Sequence, residues 1–122
     1  MDKRHLKRIE ILEKLFGLGF KGISPADVAS NDDTLKGITD HLAEIDGFIT
    51  KFAPRYPIEN IARVDLAVLR LSIYELMYVK EQPEKVIIDE AVQLAKEFGS
   101  DRSYSFINGV LGSILKKDDN NS

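Results

Sequence analysis

Cysteine is absent from all 122 residues. Disulfides, thiolate metal sites and a cysteine nucleophile are therefore excluded together, and a reducing compartment is expected. Long hydrophobic runs are missing as well. No apolar stretch approaches the roughly 18 residues of a spanning helix, and the N-terminus is charged from Asp2 to Arg8, so neither a membrane anchor nor a signal peptide is visible. The cytoplasm is the expected location. There is no excess of positive charge either. The net charge is −3, unlike the basic balance of domains that coat nucleic acid by bulk attraction. The chain also lacks a Walker loop, a dinucleotide glycine fingerprint and a nucleophile elbow, so no enzyme activity and no cofactor are expected. His5 and His41 stand far apart without ligand-spaced partners, which leaves no metal site to expect. Asp89 and Glu90 are neighbours that point in different directions on a helix and make a poor catalytic pair.

What is present is helical periodicity, in a chain whose length fits one domain of all-α class. A first helix is expected from Lys3 to Phe16, stopped by Gly17 and Gly19, with Leu6, Ile9, Leu12 and Phe16 as its apolar stripe. Lys3, Arg4, Lys7 and Arg8 fall on the opposite arc. Ser24-Pro25 reads as a cap and first position of a short helical turn through Ala29, followed by a polar loop, Ser30 to Asp33. Leu35, Ile38, Leu42, Ile45, Phe48, Ile49 and Phe52 then predict one long amphipathic helix from Thr34 to Phe52.

Pro54 and Pro57 break the chain and mark the boundary between two sub-bundles, about 1–53 and 58–117, with a brief turn over Ile58 to Ala62. Val64 to Val79 is apolar on nearly every side and belongs at the centre, with Asp65, Arg70 and Glu75 near its ends, at a seam or paired. After Pro83 a helix runs from Glu84 to Phe98 and ends at Gly99. Ser100-Asp101 caps a last helix from Arg102 to Lys117, in which close packing accounts for Gly109 and Gly112. Residues 118–122 read as a disordered tail.

Two features carry candidate chemistry. The basic cluster Lys3, Arg4, Lys7 and Arg8, beside His5, places positive charges one turn apart, where they can track phosphates or simply meet solvent. The segment from Gly99 to Asn108 opens a helix beside Arg102, Ser103, Tyr104, Phe106 and Asn108. Its aromatics and amide suit either reading single-stranded bases or packing within the protein.

The blocks AVLRLSIYEL from Ala67, KVIIDEAVQLAKEFGS from Lys85 and FINGVLGSI from Phe106 closely resemble the C-terminal signature of NusB transcription-antitermination proteins, in order and with fitting spacing. The basic first helix ending in Leu15-Phe16 is similar too. The resemblance implies a fold of two packed helical sub-bundles. It also implies binding to boxA-like single-stranded RNA together with the ribosomal protein NusE, within the transcription elongation complex. Carried over by position, the family's arginine-rich segment falls on Arg4, His5, Lys7 and Arg8, with Leu6 where a basic residue is often found. The second RNA region falls on Arg102 to Asn108, and the acidic partner-facing positions match Glu59 and Asp65. Arg70 and Glu75 are read as structural. The match fades between the first helix and Pro54, where the chain is shorter than the family leads one to expect. Self-association as a homodimer is compatible with the resemblance, and so is a divergent protein-interaction module with no RNA sequence preference. A free-standing methyltransferase and a DNA-binding helix-turn-helix are weaker alternatives. The first lacks a catalytic domain, and the recognition helix of the second would be apolar on too many sides.

Overall fold

Asp2 accepts a hydrogen bond from the Arg4 backbone N–H at 3.0 Å and so caps helix α1, Lys3–Leu15. In this computed structural model, residues 2–18, 22–29 and 32–121 are described, those from 118 onward as backbone alone. Gly19, expected to help stop α1, and Ser30 and Asn31 of the expected polar loop lie outside the described residues. Helix α2, Pro25–Ala29, opens on a reciprocal cap: the Asp27 N–H donates to Ser24 Oγ at 3.2 Å, and the Ser24 N–H donates to the Asp27 carboxylate at 2.8 Å.

The single long helix expected from Thr34 to Phe52 is in fact two. Helix α3 spans Asp33–Asp40, helix α4 spans Leu42–Phe52, and His41 breaks the run at φ −106° and ψ 14°. The periodic stripe passes through the break undisturbed, with Leu35, Ile38, Ile45 and Ile49 all fully buried, so periodicity alone does not register it. After a 3₁₀ turn, Ile58–Asn60, helix α5 runs from Arg63 to Tyr74. The expected continuation to Val79 is a π turn, Glu75–Val79, closed by Lys80 in the left-handed region at φ 56°. Helix α6, Glu84–Phe98, follows Pro83. The last helix, α7, spans Ser103–Asn121 and so extends past Lys117 into the stretch read as a tail, since no glycine or proline follows Gly112 to stop it.

Helix α5 is the hub, packed against α1, α3, α4, α6 and α7, and Ala67 to Ile73 are buried without interruption. One apolar cluster joins both halves of the chain, from Ile11, Leu12 and Leu15 of α1 to Ile107, Leu111 and Ile114 of α7. Truncating one of its leucines or isoleucines to alanine costs about 2–5 kcal/mol in lost transfer energy and cavity. Gly37 is essential where α3 crosses α5, because a Cβ there would overlap the Tyr74 phenol ring. Gly109 and Gly112 behave otherwise than expected: a Cβ at either would meet nothing, so they lie on an open face of α7 and not in a helix contact.

Candidate RNA interface

The first helix does not divide into one apolar and one basic face. Its buried stripe is His5, Arg8, Ile11, Leu12 and Leu15, whereas Leu6 is 49% exposed. Arg8 of the basic cluster and His5 beside it thus point inward. Arg8, only 7% exposed, donates from Nε and Nη2 to the two Glu75 carboxylate oxygens at 2.9 and 2.7 Å, and also bonds Gln82. His5 is held between two carboxylates of α6, bonding Glu90 through Nδ1 and Glu97 through Nε2, the latter at 3.0 Å. The hydrogen bond to Glu90 is the largest cause raising the imidazole above its ordinary value, against burial, so both ring nitrogens act as donors. Lys3 and Arg4 stay in solvent. Lys7 is exposed and donates to Asp32 at 2.6 Å, which raises its own pKa.

These contacts bring the two candidate regions to one end of the molecule. Glu97 grips His5 near the start of α1, and the preceding residue, Lys96, lies 5.2 Å from the ring centroid of Tyr104 in the first turn of α7. Tyr104 is 46% exposed, Arg102 and Asn108 are exposed, and Ser103 is buried with its Oγ accepting from the Ser100 N–H at 2.9 Å. Ser103 therefore serves the turn between α6 and α7 and does not face a ligand. Phe106 turns away from Tyr104 and packs edge-on to Tyr56, with ring centroids 5.2 Å apart.

Phe106 and Tyr56 form one wall of a cleft of about 230 Å³, lined also by Asn60, Ile61, Ala62, Asp65 and Arg102. Asp65 is 8% exposed, so it is not a surface charge, and its Oδ1 has no hydrogen-bond partner among the described residues. Glu59 stands on the adjoining 3₁₀ turn in solvent. Tyr56 and Asn60 were not legible as site residues. Their only signal is a position between and just after two prolines that fold this loop onto α7. Arg70 forms a two-pronged pair with Asp46 at 2.9 Å, and Glu75 pairs with Arg8, which accounts for these two charges of the central helix and its π turn.

Among the described residues no group of three or more His, Asp or Glu side chains is arranged to hold a metal ion, and no helix is long and apolar enough to cross a membrane.

The fold is that of a small all-helical protein built around one central helix. A profile described as the NusB family matches residues 2–116. The transcription antitermination protein NusB of Finegoldia magna is 35% identical over 103 residues, covering 84% of this chain and 75% of its own. The structure of T. maritima NusB superposes with a TM-score of 0.82 at 29% identity, over 94% of this chain and 92% of that one. A structure of the antitermination factors NusB and NusE in complex with dsRNA gives a TM-score of 0.77 at 24% identity, over 95% and 99% of the two chains, a likeness of fold. The chain belongs to the NusB family.

Proposed function

We propose that this protein is an RNA-binding antitermination factor whose RNA path runs from Lys3, Arg4 and Lys7 across the end of α6 to Arg102, Tyr104 and Asn108. The observation that carries it is the junction at Lys96 and Glu97, consecutive residues that hold Tyr104 and His5 and so unite the two regions. Exposed cations supply phosphate contacts along that line, and Tyr104 offers the ring face turned from Lys96 to a stacked base. In this reading His5 and Arg8 position α1 and do not touch RNA, because both are buried with their donors committed within the protein, whereas Lys7, though paired with Asp32, is exposed.

The partner is a NusE-type ribosomal protein, as in the related complex of the same fold, and the exposed carboxylate of Glu59 is its contact on this chain. The pair acts on boxA-like RNA in the transcription elongation complex, in the cytoplasm, and self-association through the partner surface competes with it.

The test is RNA binding by a Lys3→Ala, Arg4→Ala double variant, read as the salt dependence of affinity. Each cation that no longer neutralises a phosphate of a single strand lowers the slope of log K against log salt by about 0.7, so a drop of roughly 1 to 1.5 is expected. An unchanged slope would mean that these cations only meet solvent.

A further inference from the structure

We propose that Asp32 is a built-in competitor for RNA phosphate, its carboxylate holding Lys7 until a bound strand displaces it. This inference rests on the RNA-binding reading above and concerns how the basic end of α1 is regulated. Three observations point to it. The Asp32 carboxylate divides its oxygens between two tasks: Oδ1 accepts from the Leu35 N–H at 3.0 Å and caps α3, while Oδ2 accepts from Lys7 Nζ at 2.6 Å. The Lys7 side chain is 50% exposed and that of Asp32 only 13%, so an incoming anion reaches the cation more freely than solvent reaches the carboxylate. Asp32 also stays ionised. Burial pushes its carboxyl up, but Lys7 and the backbone N–H groups of Leu35 and Thr34 outweigh that and hold it below the ordinary carboxylate value.

The other carboxylate contacts of α1 cannot exchange in this way. Arg8 is buried against Glu75 with two parallel hydrogen bonds, and His5 is buried between Glu90 and Glu97. Opening either contact would strand a desolvated charge. Lys7 instead has a flexible four-carbon stem and, among the described residues, only one further approach, to the exposed Glu10 at 3.9 Å. When Nζ leaves, Asp32 keeps its Oδ1 bond at the favourable end of the α3 dipole, so α3 stays capped. A phosphate then gives Lys7 the same kind of charge-assisted bond that the carboxylate gave it. The exchange adds little net attraction, and Lys7 contributes less to RNA affinity than the solvent-facing Lys3 and Arg4.

The experiment measures binding of a labelled boxA-like strand by fluorescence anisotropy at several salt concentrations, for the wild type, Asp32→Asn, Lys7→Ala and the double variant. Asparagine caps a helix as aspartate does but carries no charge. Asp32→Asn is expected to bind about three- to fivefold more tightly than the wild type, the scale of a partly exposed ion pair. The slope of log K against log salt should steepen by up to about 0.7 as Lys7 becomes fully available to phosphate. In the Lys7→Ala background the same substitution should change affinity by less than about twofold, because the carboxylate then has no cation to withhold. Asp32→Ser, which also caps, gives the same reading should the asparagine variant fail to fold. Unchanged affinity and slope in both Asp32 variants overturns the proposal. A gain that persists in full without Lys7 also overturns it, by assigning the effect to the general loss of a negative charge. Flat titrations for all four proteins would instead bring down the RNA-binding reading itself, and this inference with it.

Discussion

Replacing Arg8 with alanine should cripple stability, whereas replacing Arg4, four residues earlier on the same helix, should leave it nearly untouched. Arg8 is 7% exposed, and its guanidinium makes two parallel hydrogen bonds to Glu75, at 2.9 and 2.7 Å, besides its bond to Gln82 and a looser approach to Glu90 at 3.9 Å. Removing one side of a buried, well-bonded pair costs about 3–5 kcal/mol, because the carboxylate left behind stays desolvated without its counter-charge. For a domain of this size that corresponds to a fall in melting temperature of roughly 10 °C or more. Arg4 is exposed, and surface substitutions of its kind usually stay within about 0.5 kcal/mol. The assay is urea unfolding of Arg8→Met, Glu75→Gln and the double variant. The double variant should regain a large part of what the single variants lose, since neither charge is then stranded. If Arg8→Met unfolds at the wild-type midpoint, the pair is not holding α1 to the π turn, and Arg8 returns to the RNA-facing set.

Further outcomes follow from other contacts. Gly37→Ala should destabilise by about 1–3 kcal/mol in thermal unfolding, because its methyl group would overlap the Tyr74 ring and force an overpacked crossing. Gly109→Ala and Gly112→Ala should each stabilise by roughly 0.4–1 kcal/mol, since the added Cβ meets open space and the helix loses a flexible residue. His5 has a folded-state pKa raised above its ordinary 6.5, first by its bond to Glu90, so its stabilisation is fully present below pH 6.5 and is lost as pH rises through the folded value. The stability difference between wild type and His5→Asn, followed by urea unfolding across pH, should therefore shrink on the alkaline side. A difference that grows with pH would contradict the pairing with Glu90.

The helical class, the hub role of α5 and the end of α6 at Gly99 were legible because they rest on apolar periodicity and on glycine and proline, signals local to the chain. The inward stripe of α1 was not. Hydrophobic periodicity favours Leu6 over His5 and Arg8, and it registers nothing of polar side chains that bury by pairing with Glu90, Glu97 and Glu75, which lie far along the chain. The break at His41 was hidden for a related reason. The stripe from Leu35 to Ile49 keeps its spacing across it, and the ring that occupies the corner stacks on Tyr78 at 4.1 Å, a partner known only once the chain has folded. The π turn left no mark in the sequence. For the candidate site, the segment Arg102 to Asn108 stands out in the sequence, but the structure divides it. Tyr104 and Asn108 face solvent, Ser103 is spent on the turn, and Phe106 joins the cleft with Asp65. The union of that cleft with Tyr56 and Asn60 depends on how the proline-bounded loop lies across α7, which spacing does not encode.

The most direct test of RNA reading by this protein is the binding of a labelled boxA-like RNA and a scrambled control, by fluorescence anisotropy with and without a NusE-type subunit. Tighter binding of the boxA-like strand, strengthened by the subunit, is the predicted result. Equal binding of both strands, with the subunit still captured, would contradict it and leave a NusB-fold protein that binds its partner without reading RNA.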